Sequence, residues 1–128
     1  MTRSATQPPS TPTPRPLPRG SRGLVAMDVA QDLARAVRGL RFPRGNAHLR
    51  DQLWRAADHA VLRLEEGCCR TAGNRYQHLQ GAYAEAREAQ RALLLMSHLG
   101  HPVPADALQL ADRLGGLLFG LLRRYQRR

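Results

Sequence analysis

The chain has 128 residues and a formal net charge of +10, and all twenty of its basic residues are arginines. That length supports one domain with a single core. Its two cysteines, Cys68 and Cys69, are adjacent and cannot close an unstrained disulfide, which excludes a disulfide-built scaffold and suits a reducing cytoplasm.

Residues 1–25 read as a disordered tail. Six of the nine prolines fall here (Pro8, Pro9, Pro12, Pro14, Pro16 and Pro18), among Thr, Ser and Arg, and such a stretch has too little apolar surface to bury. It also lacks the apolar segment of a signal peptide. Residues 26–128 then read as one helical domain. The first helix is expected over about Met27 to Leu40, with Val29, Leu33, Ala36, Val37 and Leu40 at steps of three and four. Asp28 and Asp32 fall in its first turns and arginines in its last, as the helix dipole favours. Phe42-Pro43 stops it.

Asn46 is a good N-cap for a second helix carrying Leu49, Leu53, Ala56, Ala57, Ala60, Val61, Leu64 and Cys68 on one stripe and ending near Arg70. Asn74 caps a third, with Tyr76, Leu79, Tyr83, Ala86, Ala89, Leu93 and Met96 inward; Gly100, Pro102 and Pro104 close it. The fourth starts near Ala105 and places Leu108, Ala111, Leu114, Leu118, Leu121, Leu122 and Tyr125 on one face. No segment alternates with period two. The expected fold is therefore all-α, an up-down four-helix bundle with a Pro/Arg-rich tail. The longest apolar run, Leu114 to Leu122, contains three glycines and is too short to cross a bilayer.

Between Leu114 and Leu122 the fourth helix is apolar almost all round, more than one four-helix core can absorb. Leu117 and Phe119, with the small-residue pair Gly116 and Gly120, are thus candidates for a contact between subunits, and Trp54, one position off its stripe, is a candidate anchor. A homo-oligomer is expected.

Catalytic chemistry finds little footing. No phosphate loop, nucleophile elbow or HExxH motif is present, and Glu65-Glu66 diverge on a helix. The histidines (His48, His59, His78, His98, His101) include no i, i+4 pair and Cys68 and Cys69 point about 100° apart, so neither a metal nor a cofactor is expected. The arginines carry the remaining chemistry. A GC-rich genome favours arginine over lysine whatever the function, so the clustering is more informative than the choice. Arg35, Arg38, Arg41, Arg44 and Arg50 follow one another with no acid between them, and Arg123, Arg124, Arg127 and Arg128 end the chain. Guanidinium forks bind phosphate bidentately, so these nine are the candidate nucleic-acid contacts.

The order of motifs resembles a known family. A short helix ends in Phe42-Pro43-Arg44, and an amphipathic run from Leu49 to Ala57 leads into Leu64-Glu65-Glu66-Gly67. The third helix ends Leu93-Leu94-Leu95-Met96-Ser97-His98-Leu99-Gly100, and the last holds Leu114-Gly115-Gly116-Leu117-Leu118 before Arg123-Arg124. Over residues 27–124 this is similar to the small bacterial four-helix-bundle family that contains ribosomal RNA intervening-sequence proteins. The same family contains Avd, the accessory variability determinant of diversity-generating retroelements. Glu66 and Gly67 match the Asn-Ile-Ala-Glu-Gly of the first branch, while Leu114-Gly115-Gly116-Leu117 looks like the Gly-Gly end of the second. The resemblance implies a homopentameric ring with no catalytic residue. In the Avd branch it also implies binding to a retroelement reverse transcriptase and to RNA or cDNA.

Overall fold

The computed structural model describes residues 22–42, 44–69 and 72–126. Four helices account for most of them: α1 (Arg22–Arg38), α2 (Ala47–Cys69), α3 (Ala72–His98) and α4 (Ala105–Gln126). There is no strand among the described residues. The expectation for the Pro-rich tail falls almost wholly outside them.

Each helix packs on two neighbours in a square: α1 on α2 and α4, and α3 on α2 and α4. Short connections make sequential neighbours antiparallel, and the side-chain pairs along the seams keep that register. From one end of α2/α3 to the other, Gln52 meets Glu88, Arg63 lies over Gly81, and Glu66 approaches His78. Between α3 and α4 the order is Gln90 with Asp112, Tyr83 with Phe119, and Arg75 with Tyr125.

The core follows the periodicity of the sequence. Leu33, Val37, Leu53, Leu64, Leu79, Leu93, Met96, Leu114 and Leu118 are the largest fully buried side chains. Between them lie alanines, among them Ala30, Ala56, Ala57, Ala60, Ala82, Ala86, Ala89 and Ala111. Small side chains at the seams let the helix axes approach closely, so a core with few aromatics still closes. Among the described residues the buried side chains of the core are all apolar.

Three helix boundaries differ from expectation. α1 begins at Arg22 rather than near Met27, because Val25 and Ala26 pack into or against the core and draw a further turn into the helix. Asp28 and Asp32 therefore sit in the interior of α1, and its first turn holds no acid. α1 also stops at Arg38, two residues before Leu40. α3 begins at Ala72, so Asn74 lies inside the helix instead of capping it. The other end of α3 closes as expected. Gly100, at φ +90°, donates its N–H to Ser97 O (3.0 Å) and His101 donates to Met96 O (3.0 Å), the paired bonds of a Schellman motif. Pro104 then offers its carbonyl to the N–H groups of Ala107 and Leu108, opening α4.

Candidate nucleic-acid interface

The first arginine cluster sits where α1 ends and α2 begins. Arg35 and Arg38 occupy the last turn of α1, which ends on Gly39 N–H donating to Ala36 O. Asn46 precedes α2, and its carbonyl accepts from Leu49 and Arg50 N–H. The Asn46 side chain does more than close a helix: its Nδ2 lies 3.2 Å from His101 Nε2, tying this turn to the α3–α4 turn at the same end of the bundle.

Sequence counting leaves this cluster unopposed, and the fold partly corrects that. Arg38 makes a bidentate pair with Asp58, twenty residues on, at 2.8 and 3.2 Å. Arg35 reaches back to Asp32 and Arg50 to the adjacent Asp51, at 3.3 and 3.2 Å. All three pairs are open to solvent, where such contacts contribute about 0–1 kcal/mol and yield readily to a competing anion. Arg41 and Arg44 are exposed and have no acidic partner among the described residues.

Trp54 is the hinge pin of this end. Its Nε1–H donates to Val37 O (2.9 Å), satisfying a carbonyl in the last turn of α1, and Phe42 meets its ring edge-on. The Arg38 and Arg50 guanidiniums lie 4.6 and 5.4 Å from the ring centroid. The partly buried indole thus bridges α1 and α2 and offers its face to two arginines.

The second cluster is at the other end. Arg123 and Arg124 are exposed in the last turn of α4, and Arg127 and Arg128 lie outside the described residues. Nearby, Arg75 donates to Gly67 O (2.9 Å) and Tyr125 Oη (3.2 Å), joining α2, α3 and α4. The 22 residues of α4 separate the two clusters by about 33 Å at 1.5 Å per residue. The candidate arginines among the described residues are therefore not one patch.

The remaining candidates on α4 divide. Leu117 is half-buried against the core, whereas Phe119 is 49% exposed and Gly116 has open space where a side chain would stand. Leu94, Leu95 and Leu99 are exposed together at the end of α3. No group of three metal-ligating side chains occurs among the described residues: His59 and His78 face Glu85 and Glu66 across the α2/α3 seam. No helix among them is long and apolar enough to cross a membrane. A shallow groove of about 360 Å³ lies between α2 and α3, lined by Leu49, Gln52, Glu88, Arg91, Ala92 and Leu95.

One feature escaped sequence reasoning. Residues 51–122 are nearly neutral in sum, but the fold sorts their charges. Glu66, Glu85 and Glu88 turn toward the α2/α3 seam, where His78, His59 and Gln52 meet them. Arg87, Arg91 and Arg113 stay exposed, with no acidic partner among the described residues. The 3.6-residue period carries that signal, since Arg87 and Arg91 are one turn apart and opposite the buried Ala82, Ala86, Ala89 and Leu93. Comparisons with known protein families, with curated proteins and with solved structures return no match.

Proposed function

We propose that this protein is a non-enzymatic, cytoplasmic accessory protein that holds the phosphate backbone of RNA or cDNA. The observation that carries this reading is the exposed pair Arg41 and Arg44, unopposed beside the Trp54-braced Arg38 and Arg50. Guanidiniums held in place by an indole lose less freedom on binding phosphate than free side chains do. The motif resemblance adds the setting: a homopentameric ring that serves the reverse transcriptase of a diversity-generating retroelement. A ring would repeat each arginine cluster and make backbone binding multivalent.

The test is filter binding of a labelled RNA across a salt series. Replacing both Arg41 and Arg44 with glutamine is expected to weaken binding and to lower the slope of log affinity against log salt by about 2, one per lost phosphate contact. An unchanged slope would remove this surface from the reading.

A second reading, an oligomer dedicated to protein contacts as in the intervening-sequence branch, is favoured by one observation. Leu94, Leu95 and Leu99 expose a leucine cluster at the end of α3. Reverse-transcriptase capture that survives high salt, together with no affinity for RNA, would select it. Light scattering measures the particle mass under either reading.

A further inference from the structure

We propose that the outer face of α3 and α4 is a stacking platform for single-stranded nucleic acid, with Phe119 as the base-stacking residue and Arg87, Arg113 and Arg123 as the phosphate contacts. The proposal rests on the nucleic-acid reading above but uses a different surface.

Phe119 is a large aromatic side chain left about half open. Tyr83 supports it from α3, with ring centroids 6.1 Å apart and planes tilted by 45°, so the ring is buttressed. Arg123 places its guanidinium 5.9 Å from the same ring. Arg87 crosses from α3 toward α4, its Cδ 3.8 Å from where a Cβ on Gly115 would stand. Gly116 offers open space on the same helix, and Arg113 precedes it by three residues, hence by about one turn. None of these three arginines has an acidic partner among the described residues. Asp112, the acid nearest on α4, accepts from Gln90 at 3.3 Å.

An exposed aromatic ring among unpaired guanidiniums matches a single strand better than a duplex. A single strand offers unstacked base faces as well as phosphates, and every base has a π-face, so binding needs no sequence readout. A duplex keeps its base faces stacked and has no use for Phe119. An isologous contact with a second copy would set the same patch against itself and oppose arginine to arginine. A heterologous ring contact at Phe119, the subunit contact expected from the sequence, is the competing occupant that particle mass separates.

The experiment is fluorescence anisotropy on the full chain with three probes of equal length: a labelled oligouridylate, an abasic strand, and an RNA duplex. Phe119→Leu keeps apolar bulk and removes the aromatic face. It is expected to weaken oligouridylate binding at least about fivefold while leaving the abasic strand and the duplex unchanged. Arg87→Gln with Arg113→Gln is expected to lower the salt slope for the single strand by about 1.4, roughly 0.7 per lost phosphate contact. Circular dichroism confirms that each variant remains helical. If Phe119→Leu leaves oligouridylate binding intact while the Arg41/Arg44 variant weakens it, the platform is wrong and the wider reading stands. Failure of all three probes to bind the unmodified protein overturns both. A fall in particle mass for Phe119→Leu by light scattering assigns the face to self-association and also overturns the platform.

Discussion

Two glycines show how backbone and surroundings give one substitution opposite signs. Gly100 sits at φ +90° at the close of α3, where a Cβ costs about 1–2 kcal/mol even though nothing crowds it. Gly116 lies in mid-α4, also with open space around it, and there glycine forfeits about 1 kcal/mol of helix propensity relative to alanine. Gly100→Ala is thus expected to lower the thermal midpoint and Gly116→Ala to raise it, each by about 4–8 °C per kcal/mol for a domain near this size. Melting followed by circular dichroism checks both. A rise for Gly100→Ala would mean that the Schellman turn does not hold its left-handed residue in solution.

At the scale of the element, α1 is the least self-sufficient of the four helices. It is the shortest, and its last turn is tied down from outside by Trp54. Trp54→Phe retains an aromatic ring but removes the indole donor, leaving the Val37 carbonyl only the longer bond from Leu40 N–H (3.3 Å), at a cost of about 1 kcal/mol. The expected local signature is faster amide exchange at residues 37–41, with the α2/α3 amides shifted only by the global loss. Equal acceleration throughout would mean that α1 does not open on its own. The same helix marks where sequence stops being legible. The apolar repeat of Val29, Leu33 and Val37 locates α1, but its start depends on Ala26 and Val25 finding the bundle, which is tertiary information. Asn74 fails as a cap for a similar reason: α3 extends beyond it to Ala72, whereas local glycine and proline signals mark the other end of α3 correctly.

On the scale of the whole molecule, distribution of charge outweighs its total. The arginine clusters at residues 35–50 and 123–128 are visible as runs in the sequence, but that Arg123 and Arg124 lie at the opposite end of the bundle from the first cluster follows from the antiparallel order of four helices. Arg38 finds Asp58 only through the α1/α2 packing, so the apparent surplus at residues 35–50 is smaller than a local count suggests. The separation of about 33 Å has a measurable consequence if both ends grip one strand. At about 3.4 Å per stacked nucleotide that span corresponds to roughly ten nucleotides. A strand of about six nucleotides reaches one end, and one of about fourteen reaches both. Affinity per molecule should therefore rise between those lengths by more than the added number of binding registers, because the second contact forms at high effective concentration. Replacing Arg123 and Arg124 with glutamine should abolish that extra gain and leave short-strand binding at the Arg41/Arg44 end intact. Anisotropy titrations over a length series at fixed salt measure it. A length dependence identical in the variant and the unmodified protein would mean that the two ends act on separate partners.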